Sequence, residues 1–196
     1  MQLNPHFLFN ALNAVSALAG DDPDAVRRLV ARLSSLLRRV LDAPPDAEVS
    51  LADELAFLRD YLDIQQVRFE GRLAVRESVQ PEAFGALVPA FLLQPLVENA
   101  VEHGADEAAG GRVEIDARVE AAPGGPAGAR RLIVVVRNDA RRGGLRGEAS
   151  ERVGLTNTRA RLAAHAGPDA TLTLRHAPDG TFDAEVALPF HSAAHA

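Results

Sequence analysis

Three stretches of this chain carry side chains that could do chemistry, and a fourth could read a ligand. The first is Asn4-Pro5-His6-Phe7-Leu8-Phe9-Asn10. On a helix over 5–19, His6, Asn10 and Asn13 share one face, while Leu8, Leu12 and Val15 share another. A neutral imidazole nitrogen is a usable nucleophile near neutral pH. Asn10, one turn on, is placed to hydrogen-bond a phosphoryl group or a water. The second stretch runs from Leu93 to Gly104, where Glu98 with Glu102 and Asn99 with His103 form i, i+4 pairs on a helix that Gly104 ends. Asn and Glu oxygens suit Mg²⁺, which takes a few protein oxygens together with phosphates and waters. The third stretch, Arg152 to Leu162, has Gly154 in a loop ahead of a helix, where backbone N–H groups and the helix dipole favour an anion. Finally, Asn138-Asp139 closes a strongly apolar strand, Ile133 to Val136, and could reach a base.

Each of these has an ordinary reading when taken alone. A histidine near a helix start is commonly a surface or capping residue, and a polar stripe is commonly the wet side of an amphipathic helix. A glycine before a helix, or a polar strand end, is common everywhere. What separates the readings is the order and spacing of the stretches within one chain.

Composition narrows the chemistry further. The chain of 196 residues has a net charge of −6, and all 21 of its basic residues are arginine. Without lysine there can be no Walker-type phosphate loop, and an acidic chain without a basic stripe is a poor nucleic-acid binder. Cysteine is absent, which excludes disulfides and thiolate metal sites and fits a reducing compartment. No charged segment followed by an apolar run opens the chain, so no signal peptide is read. The longest apolar stretch, Phe84 to Val97, is interrupted by Pro89, Gln94 and Pro95 and reads as buried rather than membrane-spanning.

The elements that must position these residues fall into two groups. After the 5–19 helix, Asp22-Pro23 starts a second one that runs to about Leu41, with Val26, Leu29, Val30, Leu33, Leu36, Leu37 and Val40 as a broad apolar face. Ala43-Pro44-Pro45-Asp46 breaks it. Ser50 with Asp53 is a capping box opening a third helix, striped by Leu51, Leu55, Leu58, Leu62 and Phe69. Stripes this wide on a small helical unit predict a helical dimer. From about Arg72 the pattern alternates, predicting strands at 72–79, 112–119, 131–137, 170–176 and 182–188, with helices at about 89–104 and 153–166. Residues 121–129 form a loose hairpin connection, Asp179-Gly180 a tight one, and 139–152 a loop. The expected fold class is α+β, with a helical unit over 1–70 and an α/β sandwich over 71–196.

With the boxes at 4–10, 93–104 and 154–162 in this order, the chain resembles the LytS-type sensor histidine kinases along essentially its whole length. The resemblance implies a helical dimerisation and phosphoacceptor segment followed by an ATP-binding sandwich of the GHKL (Bergerat) type, shared with gyrase, the mismatch-repair ATPases and a heat-shock chaperone. It implies that ATP phosphorylates His6, that Asn99 ligates Mg²⁺, and that Glu98 supports the metal through water or activates the acceptor. His103 and Gly104 would line the phosphate region, and Asn138 and Asp139 fall at the adenine-reading box. Gly154, Leu155 and Thr156 fall where the lid meets the phosphates, Thr181 near the adenine, and 139–152 is the lid. Asn10 could orient water for dephosphorylating the partner.

That partner would be a response regulator whose aspartate accepts the phosphoryl group, in this family often a LytTR-type DNA-binding protein, with the kinase acting as a homodimer. The family's sensing region lies upstream of the His box, and this chain begins five residues before His6. The resemblance therefore implies a cytoplasmic fragment of a membrane-anchored parent. Three positions depart from the wider pattern. Phe7 follows His6 where many histidine kinases have an acid, Asn138 stands for an Asp, and Arg152 stands for a Gly. An amide oxygen accepts without charge, and Arg at a φ > 0 position costs on the order of 1 kcal/mol. These changes motivate an alternative, a degenerate relative that dimerises and docks a regulator without turning over ATP.

Overall fold

The computed structural model describes residues 23–42, 44, 47–106, 109–139 and 149–192, with residues 12 and 15. His6, Asn10 and residues 140–148 of the expected lid lie outside the described residues. Helix α1 (Pro23–Asp42) starts with proline, whose fixed φ suits a first helical turn, and has Asp24 in its first turn and Arg39 in its last, matching the helix dipole. Leu29, Leu33 and Leu36 are its buried stripe. Val30 at 44% and Leu41 at 81% stay exposed, so only part of the apolar face is used within the chain.

Strand β1 (Glu48–Ser50) leads straight into helix α2 (Leu51–Arg68). Ser50 caps that helix: its Oγ accepts from the Asp53 N–H at 3.1 Å and donates to Asp53 Oδ2 at 2.6 Å. Leu51, Leu55, Leu58 and Leu62 are buried, and so are Phe57, Tyr61 and Ile64 on the other flanks. Helix α2 packs on α1 and against the sheet and the elements that lead into it. The leucine stripe expected to seek a second copy is therefore covered by the chain itself. No break in packing falls at residue 70, because α2 shares one core with the strands that follow.

The main sheet contains β2 (Leu73–Val79), β4 (Ala105–Asp106), β5 (Gly110–Ala121), β6 (Arg130–Asp139), β7 (Thr171–His176) and β8 (Thr181–Pro189). Its order is β2-β5-β6-β8-β7, with β4 paired to the start of β5. Only β2 and β5 run parallel; the other pairs are antiparallel. A second, two-stranded sheet pairs β1 with β3 (Leu87–Pro89), Val49 opposite Val88. Alternation sets the faces. Leu132, Val134 and Val136 join the main core with Val113, Ile115 and Val186, whereas Ile133, Val135 and Ala187 form a small cluster on the other face. Helices α2, α3 (Gln94–Gly104) and α4 (Ala149–Ala166) all pack on the first face. The α+β expectation holds, and among the described residues no helix is long and apolar enough to cross a membrane.

Ser50→Ala should lower stability by about 1 kcal/mol, since the Asp53 N–H loses its acceptor at a helix end. The measurement is urea denaturation, with a reduced midpoint at unchanged slope.

Candidate functional site

The site is built on α3. The sequence predicts a helix from about residue 89, but α3 starts at Gln94. Pro89 is in β3, and Phe91 has φ 59, a left-handed backbone that no α-helix accommodates and that is strained for a bulky residue. The intervening turn, residues 90–93, is held by its neighbours. Glu54 of α2 accepts the Phe91 N–H at 2.7 Å and the Leu93 N–H at 2.9 Å. Arg161 of α4 donates to the carbonyl oxygens of Ala90 and Phe91. Phe57 packs edge-to-face on Phe91 with ring centroids 4.9 Å apart. Burial pushes the Glu54 carboxyl up to about 7, against the pull of the Leu93 and Phe91 N–H groups, the Arg161 charge and the Leu92 N–H.

The other end of α3 is fixed by absence of side-chain bulk. A Cβ on Gly104 would lie 2.6 Å from Asn138 Cβ and 2.7 Å from Asn138 Nδ2, so only glycine lets the helix end press on β6. On the other side, a Cβ on Gly111 would lie 2.4 Å from the Gly104 carbonyl oxygen. The chain then pairs Ala105 with Gly111 to start β4. This contact brings the second sequence box onto the fourth.

Asn138 is 3% exposed and its Nδ2 donates to the Asp139 carbonyl at 3.0 Å. Asp139 stands opposite Thr181 in the β6–β8 register, and its Oδ1 lies 3.3 Å from Arg112 Nη2. The Thr181 N–H and hydroxyl both donate to Asp179 Oδ1, at 3.0 and 2.7 Å, which holds the Asp179 carboxyl below its ordinary value. The hairpin itself turns on Gly180 at φ 82. Gly104, Asn138, Asp139 and Thr181 thus gather at one end of the sheet.

Glu98 and Asn99 are half-buried on α3, while His103 is exposed. Gln94 Nε2 donates to Glu98 Oε1 at 2.7 Å. Burial raises the Glu98 carboxyl, the Gln94 bond opposes this, and the Glu102 charge adds to it. Tyr61 of α2 is near enough for the charges of Glu98 and Glu102 to push its hydroxyl further in the direction that burial already drives it, upward. Gln65 and Gln94 each keep a buried side-chain oxygen that no donor among the described residues reaches. This corner is rich in oxygen acceptors.

Gly154, Leu155 and Thr156 lie inside α4, which begins at Ala149, so Gly154 is not in a loop ahead of the helix as read from the sequence. Helix continuity engages its N–H in the ladder rather than leaving it at a helix start. Leu155 is half-buried and Thr156 exposed. Sequence reasoning also passed over Glu54, Arg161 and Arg112. The signal for Glu54 was present: an acid three residues after Leu51 and just before Leu55, within an apolar stripe.

The helices-on-sheet sandwich is a fold shared with histidine kinase catalytic domains. The structure matches the catalytic domain of the histidine kinase ThkA with a TM-score of 0.55 at 12% identity, covering 74% of this chain and 97% of that one. It matches the Acinetobacter baumannii histidine kinase AdeS with a TM-score of 0.52 at 11% identity, covering 98% and 88%. In sequence, the histidine kinase family profile matches residues 1–73. The sensor histidine kinase BtsS of Escherichia coli K12 is 44% identical over 120 residues, 61% of this chain and 21% of that protein. The sensor protein LytS of Staphylococcus saprophyticus is 41% identical over 102 residues, 52% and 17% respectively. Over the matched segments the chain is similar to sensor histidine kinases, LytS-type members among them. It spans about a fifth of the length of these relatives.

Two outcomes follow from the geometry. Gly104→Ala should cost about 1–3 kcal/mol, the range for overpacking, because the new methyl overlaps Asn138; urea denaturation reads this directly. Glu54 should make stability depend on pH. Between its ordinary value of 4.5 and about 7, the folded protein holds a proton that the unfolded chain has released. Stability from this group is therefore fully present below 4.5 and lost as pH rises to 7, by on the order of 3 kcal/mol. Denaturation of the parent and Glu54→Gln at pH 5 and pH 8 should show a smaller difference between the two pH values in the variant.

Proposed function

We propose that this chain is the catalytic portion of a sensor histidine kinase, transferring the γ-phosphoryl group of ATP to His6 and then to an aspartate of a response regulator. The observation that carries the reading is the contact of Gly104 with Asn138, which joins the Glu98-Asn99 helix to the Asn138, Asp139 and Thr181 end of the sheet. On this reading the adenine is read by Asn138 with Asp139 and Thr181. The phosphates lie along Asn99, His103 and Gly104 toward Gly154, Leu155 and Thr156. The dimerising unit carries His6, and helices α1 and α2 that follow it share one core with the sheet.

The residues present fit a hard divalent cation. Glu98 offers carboxylate oxygens, its partner Gln94 keeps a buried amide oxygen without a donor, and no group of three His, Cys, Asp or Glu among the described residues forms a metal cluster of its own. Such a site suits Mg²⁺ shared with phosphates, held by Asn99 with support from Glu98. When bound, Mg²⁺ would neutralise phosphate charge and orient the γ-phosphoryl group.

The chain's own contribution is placement. An imidazole nitrogen of His6 forms the N–P bond in line as the bond from the γ-phosphorus to the bridging oxygen breaks, and ADP leaves with that electron pair. Glu98 assists the acceptor. Asn10 orients a water for dephosphorylation of the regulator. The protein works as a homodimer in the cytoplasm, its parent anchored in the membrane, with a regulator of the LytTR DNA-binding class.

Incubating the parent, His6→Gln and Asn99→Ala with γ-labelled ATP and Mg²⁺ tests this. Acid-labile label is expected on the parent and on neither variant. Nucleotide binding by the parent with no label on His6 would overturn the kinase reading.

A further inference from the structure

Helix α3 starts without a capping side chain of its own: Leu93, at its N-cap, offers none, and Pro95 occupies its first turn. Just ahead, Phe91 is held at a positive φ. Left to itself, such a turn would relax toward the ordinary regions of backbone space. The groups that prevent this come from two other helices and carry opposite charges. Glu54, 2% exposed, takes two N–H groups of the turn, and Arg161 takes two of its carbonyl oxygens. Four backbone groups of the turn are tied to two helices on opposite sides, so the turn is fixed in position as well as in conformation.

We propose that Glu54 and Arg161 are positioning residues, a two-sided clamp that sets where α3 begins and thereby where Glu98 and Asn99 stand against Asn138 and Thr181. The inference rests on the nucleotide site proposed above for its functional consequence, but the clamp itself is a claim about α3 alone. From the clamped turn to the Gly104 wedge, α3 is a short rigid rod fixed at both ends. Release at the N-terminal end lets it slide or rotate, and a misplacement of about 1 Å at a reacting centre can cost on the order of a hundredfold.

The test uses the whole chain and Glu54→Gln, Glu54→Asp, Arg161→Met and the Glu54→Gln/Arg161→Met double variant. Glu77→Ala, which breaks the Arg59–Glu77 ion pair between α2 and β2, serves as a control for general destabilisation. Circular dichroism first sets a temperature at which each protein is folded. Amide exchange over 91–104 and the dissociation constant for a non-hydrolysable ATP analogue with Mg²⁺ are then measured.

Glutamine offers one acceptor where the turn has two donors, so Glu54→Gln should speed exchange over 91–104 while β5 and β6 exchange as in the parent. Its dissociation constant should rise roughly tenfold. Glu54→Asp, which keeps the charge one methylene short, should fall between. The double variant should be no weaker than the worse single one, because both act through one turn. Glu77→Ala should change neither readout.

Exchange over 91–104 at the parent rate in a folded Glu54→Gln protein would overturn the clamp, and faster exchange with unchanged nucleotide affinity would overturn its role in positioning Glu98 and Asn99. If Glu54→Gln does not fold, Glu54→Asp and Arg161→Met carry the same comparison. A parent that binds no nucleotide sinks the function proposed above, while the exchange data still decide on the clamp.

Discussion

A buried carboxylate that accepts two backbone N–H groups of a strained turn is the interaction on which the rest of this structure depends. Taking Glu54 out of water is costly for its charged form, and such a group persists in a protein interior only where hydrogen bonds and an opposite charge compensate. Here two N–H donors from the turn and Arg161 across it offset part of that cost, and burial still holds the carboxyl above its ordinary value. The same bonds satisfy backbone groups that begin α3 and have no intrahelical partner. One interaction therefore removes two liabilities, an unpaired buried carboxylate and an uncapped helix start, and spends them on holding Phe91 at a backbone angle it would otherwise leave.

The opposite end of α3 is governed by volume rather than charge. Gly104 and Gly111 let two backbones and the Asn138 side chain approach closer than any Cβ allows. Charge fixes one end and steric contact the other, so the helix that carries Glu98, Asn99 and His103 is located against the sheet without relying on its own surface. Sheet register does the remaining placement. Because Asp139 pairs with Thr181 and Asn138 with Phe182, a slip of one residue would turn Asn138 away from Gly104. The long apolar strand β6, buried on both faces from Leu132 to Val136, makes that slip costly.

Much of this was legible in the amino-acid order, and the parts that were not share a cause. The five long strands announce themselves by alternation, α1 by its proline, and α2 by Ser50 and Asp53, all local signals. Strands β1 and β3 are three residues each and have no periodicity to read. The true start of α3 was hidden because Phe91 looks like a helix former, and what holds it out of the helix is a glutamate 37 residues earlier and an arginine 70 residues later. The stripe of α2 likewise looks like a dimer face until the elements that cover it are known. Gly154 looked like a loop residue because a helix start was read just after Arg152, whereas α4 begins at Ala149. What joins the boxes was non-local.

The absence of lysine sharpens the account of the site. Every cation in this chain is a guanidinium, permanently charged and planar, suited to fixed multidentate contacts rather than to a mobile point charge. Among the described residues, arginines near the grouped elements are engaged in architecture, Arg161 with two carbonyl oxygens and Arg112 with Asp139 and, at 3.6 Å, Glu114. The α3 corner offers oxygens, from Glu98, Glu102 and the Gln94 side-chain oxygen that no donor among the described residues reaches. A polyphosphate brought to such a surface would meet like charge, and two consecutive helical residues, Glu98 and Asn99, project about 100° apart. One of them can stay with Tyr61 and Gln94 on the α2 side while the other turns toward a ligand. On the proposed reading, that division of labour is why the neutral amide would hold the cation that makes the phosphate tolerable, and the carboxylate would stand behind it.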